Sequence, residues 1–203
     1  MSIIKTTSYD QLEILENITA LYLGGDSFDL DPTYSKGKFY ENERIKQPKI
    51  KSDLIPKFED VNNWDACKLG ISDKSISSIC FDPPFIAGHT KSSPTGIIGE
   101  RFHGFRYIKD LWDWYDKCLC EFYRVLDKNG VLVFKCQDTV SSGKQYLSHI
   151  HIINEAEKVG FYCRDMFVLN AKNRIIGHNH HNQKHARKFH SYFLVFEKRK
   201  VKL

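Results

Sequence analysis

Apolar positions recur at helical spacing in two stretches of the chain. From Ser8 to Leu23 they fall at Tyr9, Leu12, Leu15, Ile18 and Tyr22, a period that predicts a packing helix, with Ser8 and Gln11 in the form of a capping box. Gly24-Gly25 then supplies a helix stop. From Tyr107 to Leu126 the stripe is Leu111, Tyr115, Cys118, Phe122 and Leu126, which core packing explains fully. A further helix is predicted from about Tyr146 to Val159, stopped by Gly160. Between these lie short apolar or alternating runs that read as strands: Phe28–Asp31, Lys49–Asp53, Ser78–Phe81, Val131–Phe134, Phe161–Leu169 and Tyr192–Phe196. Residues 40 to 48 are charged and end in Pro48, so a solvent-exposed turn or short helix is expected there. Helix and strand alternate along the whole length, which predicts an α/β fold with a mostly parallel sheet covered on both faces.

In such sheets ligands lie beyond the carboxyl ends of the strands. Asp31, Asp53, Asp65, Asp82 and Gln137-Asp138 all fall at such ends. The sharpest of them is Asp82-Pro83-Pro84-Phe85, where a buried strand opens abruptly into a loop fixed by two prolines. An exocyclic amino group on a nucleobase is a poor nucleophile, because its lone pair is delocalised into the ring. Asp82 and the Pro83 carbonyl could each accept one of its hydrogens and stabilise the positive charge that develops on nitrogen. Phe85 could stack on a base taken out of its helix. The plainer alternative is a strand ending in a proline turn, with Phe85 in the core.

This tetrapeptide resembles the (D/N)PP(Y/F/W) motif of class I S-adenosylmethionine-dependent DNA amino-methyltransferases, the N6-adenine and N4-cytosine enzymes. The resemblance implies a Rossmann-like seven-stranded sheet, mostly parallel with an antiparallel last strand and helices on both faces. It widens at Asp31-Pro32-Thr33-Tyr34-Ser35-Lys36-Gly37, which is similar to a DPFxGxG turn around the methionine part of the cofactor. Asp31, Pro32, Thr33 and Gly37 are therefore candidates, while Ser35 stands where the first glycine would be. By its order in the chain Asp53 is the candidate for the two ribose hydroxyls. Asp65 and Ala66, in Trp64-Asp65-Ala66-Cys67-Lys68-Leu69, resemble the residues that meet the cofactor adenine. Ala186-Arg187-Lys188-Phe189-His190-Ser191-Tyr192-Phe193-Leu194-Val195-Phe196 resembles the last strand of these enzymes.

The resemblance implies S-adenosyl-L-methionine as cofactor, Asp82, Pro83, Pro84 and Phe85 as the catalytic loop, and adenine N6 in DNA as the favoured target. Cytosine N4, an RNA guanine-N2 or adenine-N6 target, and a non-catalytic nucleic-acid-binding partner subunit are the alternatives.

The remaining features adjust this picture. A formal net charge of +5 is compatible with nucleic acid without demanding it. Arg101, Arg106, Arg174, Lys184, Arg187 and Lys188 are candidate phosphate contacts, in two substrate-facing loops at residues 86–106 and 170–190. His178, His180, His181 and His185 lack an accompanying Cys or acid at ligand spacing, so no metal is expected. Six cysteines without a CxxC pair suggest reduced core thiols in a cytoplasmic protein. No signal-peptide pattern and no membrane-length apolar run is evident. At 203 residues a single domain is expected, residues 1–203 with an N-terminal helix in 1–24. Sequence specificity would come from the two loops, a second copy in a homodimer, or a separate specificity protein.

Overall fold

A computed structural model describes residues 3–85, 87, 105–172 and 184–199. Its elements follow in order. Strand β1 is Thr7–Ser8, α1 Gln11–Tyr22, β2 Leu30–Asp31, β3 Ile50–Asp53, β4 Asn62–Asn63 and β5 Ile76–Phe81. Then come α2 Ile108–Val125, β6 Leu126–Cys136, the hairpin β7 Thr139–Ser141 and β8 Lys144–Tyr146, α3 Ser148–Val159, β9 Tyr162–Asn170 and β10 His190–Glu197.

Eight of the described strands form one sheet in the order β1-β9-β10-β6-β5-β2-β3-β4. β10 is antiparallel to both neighbours, and the other pairings are parallel. The mostly parallel sheet with an antiparallel last strand agrees with the sequence reading; the strand count differs. Two dipeptide strands at the sheet edges, Thr7–Ser8 and Asn62–Asn63, are not among the runs read from spacing; Thr7–Ser8 pairs with Val168 and Leu169 and covers part of an edge that β9 would otherwise present to solvent. Ser8 is consequently extended, and the helix starts later than the spacing implies. Asp10, rather than Ser8, caps α1 by accepting from the Leu12 N–H at 2.9 Å.

Side chains alternate across the sheet. Ile79, Phe81, Leu132, Phe134, Leu194 and Phe196 pack on one face with Leu111, Tyr115, Leu119 and Phe122 of α2 and with Ile152 and Ala156 of α3. Cys80, Val131, Val133, Phe193 and Val195 pack on the other with Ile14, Leu15 and Ile18 of α1. This period of two, carried through three neighbouring strands, fixes their register, because a one-residue slip would exchange the two faces.

Two further expectations change. Residues 40 to 48 do not form a wholly exposed turn: Tyr40 and Ile45 are buried in the core beneath α1. β6 starts well before the Val131–Phe134 run that marks it in sequence, at Leu126, and carries Asn129-Gly130 inside it at a shift of register against β5, with Asn129 in the left-handed region (φ 66°).

Candidate active site

The central strands end together. Leu30 pairs with both Ile50 and Ile79, and Phe81 pairs with Phe134. Asp31, Asp53, Asp82 and the segment from Lys135 to Asp138 therefore leave the same edge of the sheet.

At the tip of β2 the chain turns tightly. Gly37 has φ 65°, and a Cβ there would meet the Tyr34 hydroxyl at 2.5 Å. Only glycine satisfies both constraints. Ser35, at φ 50°, adopts the left-handed conformation despite its side chain. Its N–H donates to Asp53 Oδ2 at 2.9 Å, and the Tyr34 N–H donates to the Ser52 carbonyl at 3.1 Å. The turn is thus tied to the end of β3, whose carboxylate also accepts from the Ile55 N–H at 2.8 Å. Leu54, Ile55 and Phe58 beside Asp53 are exposed. A carboxylate flanked by apolar surface suits a sugar diol attached to a flat ring; nothing in the sequence pattern marked these three residues.

Asp31 lies beneath the turn. One of its oxygens accepts from the Thr33 N–H at 2.9 Å and from the Thr33 hydroxyl at 3.3 Å, and the other from the Tyr40 hydroxyl at 2.8 Å. Burial pushes its pKa up to about 7 against these hydrogen bonds, with the Asp82 charge adding to the rise. Its side chain shapes the turn from within. Pro32 and Thr33 complete that turn, with Pro32 buried.

Asp65 follows β4. Burial opposes its charge, but the Trp114 indole N–H at 3.0 Å and the Cys67 N–H at 3.1 Å hold its pKa below the usual carboxylate value. Ala66 beside it is buried.

At the tip of β5, the Asp82 N–H donates to Thr33 Oγ1 at 2.9 Å. Asp82 Oδ2 lies 3.2 Å from the Lys135 ammonium, which also donates to Gln11 Oε1 of α1 at 2.8 Å. Asp82 Oδ1 is buried without a hydrogen-bond partner among the described residues. Pro83 is buried, and the Pro84 carbonyl accepts from the Tyr115 hydroxyl of α2. Phe85 is half-buried, with the Lys135 ammonium 5.9 Å from its ring centroid. The loop is held from both faces of the sheet, by Gln11 through Lys135 and by Tyr115. Neither Lys135 nor Tyr115 stands out in sequence: Tyr115 falls on the apolar stripe of α2, and Lys135 follows the apolar run of β6, where a lysine reads as the strand reaching solvent.

Beyond β6, Asp138 is buried and accepts from His149 Nδ1 at 2.7 Å and from the Tyr192 hydroxyl at 3.4 Å; the Gln137 amide donates to the His190 carbonyl at 2.6 Å. The strand ends of β6 and β10 are thereby knitted together beside the DPPF loop.

Of the candidate phosphate contacts, Arg101 and Arg174 lie outside the described residues, as do most of both loops. Arg106 is exposed over the Tyr107 ring, 5.3 Å from its centroid. Lys184 and Arg187 are exposed, and Lys188 is half-buried. His185 Nε2 lies 2.9 Å from the Gly143 carbonyl in the β7–β8 hairpin. His178, His180 and His181 also fall outside the described residues. No described helix is long and apolar enough to cross a membrane.

A family model described as DNA methylase, of the N6/N4 type, matches residues 76–203, more than half of the chain and the part that carries the DPPF loop. The chain belongs to this family of DNA methylases, as the sequence resemblance implied. The methyl donor of that family is S-adenosyl-L-methionine.

Solved structures share the fold. TrmN from Thermus thermophilus matches at 14% identity over 94% of this chain and 50% of its own, with a TM-score of 0.55. The [4+2]-cyclase SpnF matches at 13% over 92% and 81%, TM-score 0.53. The cytosine-N4-specific PvuII DNA methyltransferase matches at 15% over 68% and 48%, TM-score 0.50. At these identities the likeness is one of fold alone. The chain spans about half the length of TrmN, of the PvuII enzyme and of the Thermus thermophilus DNA modification methylase structures that it also matches. No curated protein matches it in sequence.

Proposed function

We propose that the protein methylates the exocyclic amino group of a nucleobase, adenine N6 in DNA. The observation that carries the reading is the buried oxygen of Asp82 with no partner among the described residues. An unpaired buried acceptor costs on the order of 1–3 kcal/mol, and an amino hydrogen of a base supplies the missing donor. The preference for DNA rests on the similarity of the Asp31–Gly37 turn and the final strand to DNA amino-methyltransferases; cytosine N4 is the close second, since the same loop geometry serves either amino group.

Asp53 would accept from the ribose hydroxyls of S-adenosyl-L-methionine, with Leu54, Ile55 and Phe58 against its adenine. Asp65 and Ala66 would meet the adenine edge, and the turn at Asp31, Pro32, Thr33 and Gly37 would receive the methionine end. Bound there, the cofactor supplies a methyl group on a positively charged sulfur, which departs as the neutral thioether when the amino nitrogen takes the methyl. Asp82 Oδ1 and the Pro83 carbonyl accept the two amino hydrogens, localise the nitrogen lone pair and stabilise the charge that grows there. The nitrogen sheds one proton to Asp82 as the new bond completes. Pro84 sets the loop, and Phe85 stacks on the displaced base. Arg106, Lys184, Arg187 and Lys188, with Arg101 and Arg174, would contact phosphates; RNA is the less favoured substrate. A homodimer or a separate specificity protein would supply any further sequence recognition.

The test is mass spectrometry of nucleosides from DNA incubated with the protein and labelled cofactor. N6-methyladenine is expected in the wild type, with a loss on the order of 10²–10³ for Asp82→Ala and cofactor affinity retained. N4-methylcytosine instead would overturn the adenine assignment, and an equally active Asp82→Ala would overturn the role of the loop.

A further inference from the structure

Lys135 occupies a position that the alternation of β6 assigns to the core beneath α1, in line with Val131 and Val133. It is only 8% exposed. Its ammonium touches Asp82 Oδ2 at 3.2 Å and Gln11 Oε1 at 2.8 Å, and lies 5.0, 5.5 and 5.9 Å from the rings of Phe39, Phe193 and Phe85. Burying an ammonium is expensive even when paired, and an apolar side chain would fill the same space at lower cost. A purely structural pair would also be expected to satisfy both carboxylate oxygens. Here it satisfies one and leaves the other buried without a partner among the described residues.

We infer that Lys135 is a positioning residue for methyl transfer. It holds Oδ2 and so makes Oδ1 the oxygen presented to the amino group of the base. The inference rests on the reading of Asp82 given above. A carboxylate that is free to rotate has two equivalent oxygens and no fixed direction of acceptance. One charge-assisted hydrogen bond removes the equivalence and sets the plane of the group before the base arrives. Gln11 anchors the ammonium from the far side, which brings α1 into the organisation of the catalytic loop.

The opposite response of two backgrounds tests this. With Asp82 intact, Lys135→Met should lower kcat by a factor on the order of 10–100, the size expected for one charge-assisted hydrogen bond, with little change in KM for the cofactor. In Asp82→Asn the ammonium draws the amide oxygen to itself and turns the NH₂ towards the base, donor against donor. Adding Lys135→Met to that variant frees the amide to turn, so kcat should rise. A lysine that merely supported the fold would lower the rate in both backgrounds, and a loss in both, or no change with Asp82 intact, overturns the assignment. Calorimetric affinity for S-adenosyl-L-methionine confirms that each variant is folded. Should Lys135→Met fail to fold, Gln11→Ala carries the test: kcat should drop several-fold with cofactor affinity kept, and an unchanged kcat overturns the inference. A wild type that methylates no DNA overturns the proposed function itself, whereas an active wild type with like-signed responses overturns only the role of Lys135.

Discussion

Asp31 should make the protein less stable as pH rises from about 4 to about 7, and Asp31→Asn should remove that slope. The carboxyl is 3% exposed at the tip of β2, with the Thr33 N–H and hydroxyl, the Tyr40 hydroxyl, the Cys80 thiol and the Asp82 carboxylate around it. Burial pushes its pKa from an ordinary 3.8 to about 7. Below 3.8 the folded and unfolded chains both carry the proton. Between 3.8 and about 7 the unfolded chain has released it while the folded chain keeps it, so each unit of pH costs the folded state about 1.4 kcal/mol. Above about 7 both forms are ionised and the loss is complete, on the order of 4 kcal/mol. Asparagine keeps an acceptor for the Thr33 N–H and does not titrate. Urea denaturation of both proteins at pH 5 and pH 8 measures the effect as a change in their stability difference. Relative to Asp31→Asn, the wild type should be weaker at pH 8 than at pH 5 by about 3 kcal/mol, the share of the loss that falls between pH 5 and the raised pKa. A stability difference independent of pH would show that Asp31 is not held protonated in the fold.

Gly37→Ala should cost about 1–2 kcal/mol for the left-handed backbone alone, with more from the 2.5 Å approach to the Tyr34 hydroxyl. Because that turn is bonded to Asp53, calorimetry should show weaker cofactor binding as well; unchanged affinity would detach the turn from the cofactor site. Replacing both Arg187 and Lys188 by alanine should flatten the slope of log DNA affinity against log salt by roughly 0.9 for each phosphate no longer neutralised, nearly independently of sequence. Parallel lines for variant and wild type would exclude that pair from the phosphates.

The central strands and their acidic ends were legible because each is announced locally, by an apolar run closed by an acid, a proline or a glycine. The hairpin of β7 and β8 was not read, although Ser142-Gly143 turns it with φ of 51° and 74°. Serine is a weaker signal for that conformation than asparagine. Thr7–Ser8 is too short to show a period at all, and its strand exists only because β9 offers an edge. Tyr40 and Ile45 are buried by contacts with α1 and the Tyr34 turn rather than by any pattern in their own segment. Lys135 was hidden for the opposite reason. It sits at the end of an apolar run where a lysine reads as the strand reaching solvent, and its partner Gln11 is 124 positions away.

One hydroxyl joins the two halves of the site. Thr33 Oγ1 accepts from the Asp82 N–H and donates to Asp31, so the turn after β2 and the loop after β5 are fixed to each other through a single side chain. The family match begins at residue 76 and therefore covers the loop, whereas the turn precedes it. Their connection at Thr33 supports reading both as parts of one reaction site. Transfer between two bound partners depends steeply on their separation, a misplacement of about 1 Å being enough to cost on the order of 10²-fold. A loop hung on the turn through its own backbone N–H would keep Asp82, the proposed acceptor of the amino group, in step with the turn even when the side chains around it shift. The carboxyl of Asp31, beneath both, is thus placed where its protonation bears on stability and on the registration of Asp82 alike.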